Sequence, residues 1–421
     1  MNKKHKTKTL QTRMLLSILL VALLQILMVV GIIELTGTTR KLDESTMQIY
    51  KNAVYNRGEN VEEKLKTWSS LEPYYTEVTA MVSKMAMHKY ISVQNFVQDS
   101  INRREVLANV ADTAKNCMDD LGVTDFFIIF EPGTYHSKEA LYLRKDPSSD
   151  EVLLEYGPRR AMMTKGILLS DSWCEKMPIQ GTTDYYVTPL MEAYNHPDTS
   201  AEQLGYFSAP FQISDDLDQM ITYTIPLWDD NHKPYGVMGI GVNLENLKQL
   251  LPSEELSIDI NAAYYLGITQ DGISFRTVAV HGDEYEKMLE GQSVFTLEQH
   301  TVGGFSTASG SGNSENFDFY YYPFHLYGDS SPYADEVWVL GAFASYGALH
   351  ASSHRLMISL MVALSVSLGI SIVIAVIISG NTSRPLVTLV NGLKDLSPQK
   401  MRLPRTDIRE IDELAREVER Q

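Results

Sequence analysis

A group of acidic and aromatic residues in the middle of the chain has the chemistry to bind a positively charged small molecule. Its members are Tyr142, Trp173, Asp184, Tyr185, Tyr186, Tyr206, Asp215 and Asp216. Carboxylates attract an ammonium group, and aromatic rings attract the same cation through their electron-rich faces. The group therefore predicts a binding site for an amine or another cationic ligand. In the alternative interpretation, the acids are solvated surface residues and the rings belong to the core.

Two histidines four residues apart, His350 and His354, offer a second kind of chemistry. On a helix this spacing places two imidazoles on one face, where they could hold a metal ion or respond to pH. No cysteine or acidic residue stands nearby in the sequence as a third ligand. We therefore expect interfacial residues beside Arg355, and we predict neither a metal nor a cofactor.

The motifs of the common enzyme classes are absent from the sequence. It has no G-x-x-x-x-G-K-S/T loop, no G-x-S-x-G elbow, no H-E-x-x-H pair and no kinase catalytic set. The Gly/Ser-rich segment 303–314 is predicted to be a surface turn, because no Lys-Ser/Thr pair follows it to hold a phosphate. We expect this sequence to be catalytically silent.

Charge is distributed unevenly along the 421 residues, whose net charge is −17. Residues 1–13 carry five basic and no acidic side chains, and residues 380–421 carry eight basic and seven acidic ones, which leaves 23 basic and 46 acidic side chains for 34–379. Such an acidic middle argues against a nucleic-acid partner. It suits a receptor domain outside the cell, and equally an ordinary secreted domain kept soluble by its charge.

Two apolar runs predict two transmembrane helices, at residues 14–33 and 356–378. Each run lacks charged side chains and is long enough to cross a hydrocarbon core of about 30 Å. The first is longer than the apolar part of a cleavable signal peptide, and no A-x-A site follows it, so it is predicted to be an uncleaved anchor. With the basic leader 1–13 in the cytoplasm, both chain ends are cytoplasmic and residues of about 35–353 lie outside the cell membrane.

The outer region changes from a helical to a strand pattern. Residues 35–89 predict a long helix whose apolar stripe could pair with its own copy in a homodimer or pack on the domain that follows, with Pro73 interrupting it. The stripe consists of Val54, Val61, Leu65, Trp68, Leu71 and Tyr75. From residue 125 onward, strands separated by turns form two successive units, at about 90–250 and 252–348. Cys117 and Cys174 both lie in the outer region, and the sequence leaves their pairing open.

The end of the first unit resembles the closing half of a Cache domain, an extracellular sensor fold related to PAS. The resemblance rests on a strand at 221–227, a turn at 229–231, and a G-V-x-G-I strand at 236–240 that leads into a helix at 244–251. Residues 205–211 are similar to the strand that lines the ligand cavity in that family. The resemblance implies an α+β fold of two tandem PAS-like Cache units on a long N-terminal helix, with a small extracellular ligand in the distal unit.

This sequence departs from the Cache pattern at one element, and the departure restricts the class of ligand that the resemblance implies. Cache domains that bind amino acids carry an Arg-x-Trp-Tyr/Phe element whose arginine holds the ligand carboxylate. The corresponding place here is similar to that element but reads Thr183-Asp184-Tyr185-Tyr186. The aromatic pair is kept and the arginine is replaced, which argues against capture of an amino-acid carboxylate and favours an amine.

Residues 379–421 resemble a HAMP domain, in which a connector joins two short amphipathic helices below a membrane span. The residues predicted to carry the signal are Pro385, Leu386, Leu389, Leu393, Leu396, Glu410, Ile411, Leu414 and Val418. The connector lacks the usual glycine, and the sequence stops before the second helix would normally finish. The resemblance implies a homodimeric coiled coil that acts on an output module absent from this sequence.

These patterns together predict a transmembrane receptor in which ligand binding outside displaces the second span and the HAMP helices. Residues 403–419 further resemble the linker of sensors that end in a diguanylate cyclase, while histidine kinase, phosphatase and chemotaxis outputs stay open. The alternative is a membrane-anchored adhesion or scaffolding protein. It predicts a filled distal core without a pocket and a tail indifferent to outer binding.

Overall fold

The structure, a computed structural model, places most of the chain in two compact units. One unit comprises Met1–Thr46 and His350–Gln421, and the other comprises Met47–Leu349. The residues that the structure describes are 10–134, 137–179, 184–214, 217–256, 262–282, 294–302, 305–309, 316–394, 413 and 416.

The first unit contains two apolar helices, α1 (Leu10–Thr36) and, numbered in chain order, α10 (Ala351–Lys394). Their segments Leu16–Thr36 and Ala351–Ile378 have mean hydropathies of 2.9 and 2.8, and both are long and apolar enough to cross a membrane. The prediction of two such helices on either side of the outer domain is confirmed.

Two of the sequence predictions, the histidine pair and the HAMP-like seams, concern residues near the ends of these helices. His350 Nδ1 lies 2.8 Å from Asp43 Oδ2, so an acidic partner that is distant in sequence reaches the histidine. Backbone helix continues through Pro385 and Leu393 to the end of α10. Leu396, Glu410, Ile411, Leu414 and Val418 lie outside the described residues, so the second predicted seam stays a prediction.

Four helices precede the strands of the second unit. They are α2 (Thr38–Trp68), α3 (Glu72–His88), α4 (Val93–Gln98) and α5 (Ser100–Leu121). The single long helix predicted over 35–89 is therefore two helices, because Pro73 stands in the first turn of α3 and cannot continue α2. α5 ends at Gly122, whose φ of 62° lies in the left-handed region.

The apolar stripe of α2 packs within its own chain. Val54, Val61, Leu65 and Trp68 are each exposed by 2% or less, and they belong to the main core cluster with residues from both sheets. The stripe therefore covers the domain that follows it. A homodimer, which the sequence left as the alternative partner for this stripe, would have to use another surface.

The first sheet, called the distal sheet, has eight strands. They are β1 (Asp125–Thr134), β2 (Ser137–Lys145), β3 (Val152–Tyr156), β4 (Leu168–Cys174), β5 (Met177–Pro178), β6 (Tyr206–Phe207), β7 (Met220–Trp228) and β8 (Pro234–Asn243). The strand order is β4-β3-β2-β1-β8-β7-β6, and β5 pairs with β2. Three short helices accompany them: α6 (Arg159–Thr164), α7 (Asp184–Asn195) and α8 (Leu244–Gln249).

Both faces of the distal sheet are buried. Along β1, Phe126, Ile128 and Phe130 belong to the main core, whereas Phe127 and Ile129 belong to a second cluster on the other face. Because alternate side chains of β1 are buried on opposite faces, residues 126–130 are all apolar. Burial on two faces leaves ligand access only at the edges and at the strand ends.

The second sheet, called the proximal barrel, has six strands. They are β9 (Ala262–Thr269), β10 (Ser274–His281), β11 (Val294–Val302), β12 (Phe305–Ser309), β13 (Asn316–Phe324) and β14 (Val337–Ser345), and the short helix α9 (Tyr346–Leu349) follows. Pairing of β10 with both β9 and β11 closes the sheet into a barrel. The predicted α+β class with a helical N-terminal part and two sheets is confirmed.

The described interior of the proximal barrel is filled by aromatic rings. Tyr265 lies 4.9 Å from Phe295 and 5.7 Å from both Phe319 and Phe343, measured between ring centroids. Phe275 stacks on Phe295 at 5.1 Å. These side chains occupy the space inside the barrel, so the described interior offers no room for a ligand.

Two contact regions join the elements of this unit. Strand β6 of the distal sheet meets β14 of the barrel where the Phe207 ring lies 5.5 Å from Trp338. It also contacts the β13–β14 loop, where the Phe207 amide donates to the Tyr327 hydroxyl at 3.0 Å and the Tyr206 ring lies 4.9 Å from Tyr333. Helix α2 lies against β13, where the Tyr322 hydroxyl donates to Glu62 Oε2 at 3.0 Å. The distal sheet and α2 therefore both touch the proximal barrel.

A buried ion pair fixes α5 to the distal sheet and predicts acid sensitivity. Arg103 Nη2 lies 2.7 Å from Glu139 Oε2, and Ser100 donates to the other oxygen. Desolvation raises the pKa of Glu139, but the bonds from Ser100 and Arg103 and the arginine charge outweigh it and hold the pKa at about 2. The stabilisation that the ionised Glu139 gives the folded state is complete above the pKa of this group in the unfolded chain, and it is lost as the pH falls toward 2.

We expect Glu139→Gln to flatten the dependence of unfolding free energy on pH in this range, as measured by denaturant titration. An unchanged slope would contradict the assignment.

Candidate ligand-binding site

Three of the sequence-predicted site residues come together on the outer face of the distal sheet. Tyr142, Tyr185 and Tyr186 belong to one buried cluster with Phe127. The Tyr185 ring stacks on the partly buried Phe211 with centroids 4.6 Å apart. Tyr185 and Tyr186 are 2% and 5% exposed, so this face is filled by its own rings.

The other predicted residues are placed elsewhere. Trp173 packs against the main core, and Arg159 faces its ring at 5.9 Å. Tyr206 lies at the contact with the proximal barrel, next to Tyr333. Asp184 is exposed at the start of α7. Asp215 and Asp216 lie outside the described residues, and the next residue in the chain, Leu217, is buried.

A cavity of about 440 Å³ opens beside the tyrosine cluster, where the strands of the distal sheet end. The beginnings of β1 and β7 and the ends of β2 and β8 meet there, because these strands are antiparallel neighbours. The side chains that form its wall include Thr124, Asp125, Arg144, Leu217, Asp218, Met220 and Asn243. A space of this volume suits a small molecule.

Asp125 is the buried polar group of this cavity. It is 1% exposed, and its Oδ1 accepts a hydrogen bond from the Tyr142 hydroxyl at 2.5 Å. Its Oδ2 accepts a hydrogen bond from Thr124. Burial raises the pKa of Asp125, and the bonds from Thr124 and Tyr142 offset part of the rise. The predicted residue Tyr142 does not line the cavity itself; its hydroxyl holds the carboxyl group of Asp125 from behind the cavity wall.

Arg144, which is paired with Asp125 across the β1–β2 ladder, forms its ion pair with another acid. Arg144 Nη2 lies 2.8 Å from Glu155 Oε1, and Ser170 and Ser172 donate to the other oxygen of Glu155. Among the residues that the structure describes, no basic side chain forms an ion pair with Asp125. The cavity therefore carries a desolvated carboxyl group that a bound cation would complement.

The rim of the cavity adds polar groups on the solvent side. Asn243 Nδ2 donates to Asp218 Oδ2 at 3.0 Å, while Asn243 Oδ1 caps α8 by accepting from the Glu245 amide. Lys145 pairs with Asp119 at 2.9 Å. The exposed acids of the rim would favour the approach of a cation over that of an anion.

Sequence reasoning missed Asp125 and Asn243. Neither residue is among the predicted site residues; Asp125 is the first residue of β1 and pairs with Gly241 of β8. The available signal was a lone acid directly before the apolar run 126–130. Such an acid sits at the end of a sheet buried on both faces, and its side chain then points into the interior.

No protein-family model matches this sequence, and no curated protein matches it. Among solved structures, the sensory domain of the Campylobacter jejuni chemoreceptor Tlp1, described as periplasmic, is 10% identical, with a TM-score of 0.37 over 72% of this chain and 95% of that one.

Two further similar structures were solved with ligands. The ligand-binding domain of the Campylobacter jejuni chemoreceptor Tlp3 with L-norvaline is 13% identical, with a TM-score of 0.33 over 70% of this chain and 92% of that one. The ligand-binding domain of the Pseudomonas fluorescens chemoreceptor CtaA with L-serine is 12% identical, with a TM-score of 0.33 over 70% and 96%. The structural neighbours are thus sensory domains, and at these identities and TM-scores the likeness assigns this chain neither a family nor a ligand.

Proposed function

We propose that this chain is a membrane-anchored receptor that binds a small amine-bearing or cationic molecule outside the cell. The observation that carries the proposal is the cavity of about 440 Å³ whose wall contains the buried carboxyl group of Asp125, which forms no ion pair with any basic side chain that the structure describes. Two apolar helices on either side of the outer unit supply the membrane anchor. The chain acts by binding and not by catalysis.

The chemistry of the cavity explains the preference for a cation. An ammonium group next to Asp125 replaces the water that the carboxylate loses on burial, and it can donate hydrogen bonds in a site of low dielectric constant. Because burial raises the pKa of Asp125, a bound cation would lower it again by favouring the ionised form. Binding is therefore coupled to release of a proton and weakens as the pH falls through the pKa of Asp125.

The proposal extends to the relay of the signal. Ligand in the distal cavity shifts the strand ends of β1, β2, β7 and β8, and β6 of the same sheet contacts the proximal barrel. We propose that the shift passes to α10 and to HAMP-like helices that pair with those of a second copy of the chain. Displacements of about 1–2 Å between two packing states are sufficient, provided that the ligand prefers one state.

A reporter fusion tests the receptor function. With a reporter output module placed after Gln421, we expect at least one member of a panel of primary, quaternary and polyamines to raise the melting temperature of the chain and to change the reporter signal. Leu393→Asp, in the first predicted seam, should abolish the signal and leave binding intact. Asn391→Asp introduces the same charge two residues away, outside the seam, and should keep the signal.

The adhesion or scaffold alternative predicts the opposite results. No amine would change the melting temperature, and Leu393→Asp would leave the function of the protein unchanged. The filled tyrosine cluster agrees with that alternative, but the adjacent cavity does not. Failure of every amine in the panel would count against the receptor proposal.

A further inference from the structure

A second cavity, of about 430 Å³, lies at one rim of the proximal barrel. It is bounded by Ile268 at the end of β9, by Arg276 on β10, by Val294 at the start of β11 and by Glu336 just before β14. The barrel interior behind it is filled, so this space is open only toward the outside of the barrel. It is separate from the Asp125 cavity, whose wall is formed by other residues.

The two opposite charges in this cavity are only loosely paired. Arg276 Nη2 lies 3.6 Å from Glu336 Oε1, which is too long for a hydrogen bond. The second oxygen of Glu336 is buried, and it has no hydrogen-bond partner among the residues that the structure describes. Desolvation raises the pKa of Glu336, and the charge of Arg276 offsets part of the rise. Glu336 therefore keeps an acceptor oxygen that the described part of the protein does not use. The guanidinium of Arg276 has more N–H donors than its contacts with Glu336 and the Tyr206 hydroxyl require.

The third charged group of the cavity is already engaged. Asp271 Oδ1 accepts hydrogen bonds from the amides of Ile273 and Ser274 at 2.8 and 2.7 Å, and these bonds form the turn between β9 and β10. They hold the pKa of Asp271 at about 2. Asp271 thus shapes the loop, and recognition of a ligand falls to Arg276 and Glu336.

We propose that this cavity is a second ligand site, which takes a small zwitterion carrying a carboxylate and an ammonium group. The carboxylate accepts from Arg276, and the ammonium group donates to the free oxygen of Glu336. A simple anion is repelled by Glu336 and a simple cation by Arg276, so only a molecule with both charges satisfies the two side chains. The apolar side chains of Ile268 and Val294 lie beside the space that the rest of the molecule would occupy.

The position of this site gives it a role beyond the proposed distal function. The Arg276 guanidinium also faces the hydroxyl of Tyr206, which belongs to strand β6 of the distal sheet. A ligand on Arg276 therefore acts at the contact between the distal sheet and the proximal barrel. Occupancy of the second site would modulate how the two sheets contact each other, whichever molecule the Asp125 cavity binds.

The test uses the full chain in lipid nanodiscs and four probes: glycine, 4-aminobutanoate, acetate and methylammonium. Isothermal titration should show binding of at least one of the two zwitterions and at least tenfold weaker binding of acetate and methylammonium. Arg276→Met and Glu336→Gln should each weaken zwitterion binding at least tenfold. Lys233→Met, which removes a cation from the β7–β8 turn, should leave it unchanged.

Two controls separate this inference from the proposed distal function. Asp125→Asn should retain zwitterion binding, because Asp125 belongs to the other cavity. Equal melting temperatures for Arg276→Met and the unmodified chain would show that lost binding is not lost folding; if Arg276→Met unfolds, Glu336→Gln alone decides. The inference is overturned if neither zwitterion binds, if acetate or methylammonium binds as well as the zwitterions, or if binding disappears in Asp125→Asn and persists in Glu336→Gln.

Discussion

Asp125→Asn should weaken binding of a cationic ligand by about 10- to 150-fold. Asparagine keeps an oxygen for the Tyr142 hydroxyl but loses the negative charge. A hydrogen bond to a charged group in a buried site contributes about 1.5–3 kcal/mol to the binding free energy. Isothermal titration of the full chain with an amine identified in the panel measures the loss. The pH dependence of affinity should disappear together with the affinity, because Asp125 is the group whose ionisation the cation requires.

The same substitution should leave folding intact or improve it. A desolvated carboxylate without an ion-pair partner destabilises the unliganded protein at neutral pH, and asparagine removes that cost. The melting temperature of Asp125→Asn without ligand should therefore equal or exceed that of the unmodified chain. Asp230→Asn, in the exposed β7–β8 turn, is the matched control and should bind normally. Normal amine binding by Asp125→Asn would remove the basis of the distal site.

Gly239→Val should destabilise the unit that contains the distal sheet by about 3 kcal/mol or more. A Cβ atom at residue 239 would lie 2.5 Å from Phe127 Cζ and 2.7 Å from the backbone oxygen of Tyr223. The backbone oxygen belongs to the neighbouring strand β7 and cannot move away without opening the β7–β8 ladder. Denaturant unfolding followed by tryptophan fluorescence should show the loss.

Gly328→Ala provides the comparison for this prediction. Nothing lies within 4 Å of a Cβ atom built on Gly328, so alanine should change the unfolding free energy by less than about 0.5 kcal/mol. A stable Gly239→Val protein would show that β8 can separate from β7 without cost. The close approach of the strands would then not explain the glycine of the G-V-x-G-I segment.

The fold class and the membrane helices were predictable because they depend on periodicity. Apolar runs of 20 or more residues and alternating strand patterns are local signals, and they survive in any tertiary context. The break at Pro73 is also local. Closure of the proximal barrel is not local, because it depends on the pairing of β10 with β11, which no sequence pattern specifies; between the described residues of these strands it comprises three residue pairs.

The candidate site was only partly predictable for a related reason. Tyr142, Tyr185 and Tyr186 lie in one buried cluster, but their rings fill one another's space, whereas the cavity lies at the strand ends. Its key residue, Asp125, gains its character from burial, and burial depends on β7 and β8, which are about 100 residues away in the chain. Trp173 and Tyr206 were assigned to the distal site because the side of the sheet that a residue faces is unknown until the strands are paired.

The aromatic filling of the proximal barrel has a mechanical consequence. Five rings, Tyr265, Phe275, Phe295, Phe319 and Phe343, contact one another inside a closed ring of hydrogen-bonded strands. Densely packed interiors have low compressibility and transmit strain. A displacement of β6 that reaches Tyr327 and Tyr333 would therefore not be taken up by compression of the barrel interior. The barrel should tilt or rotate as a stiff body, and softening it by removing a single ring would dampen the movement before it reaches α9.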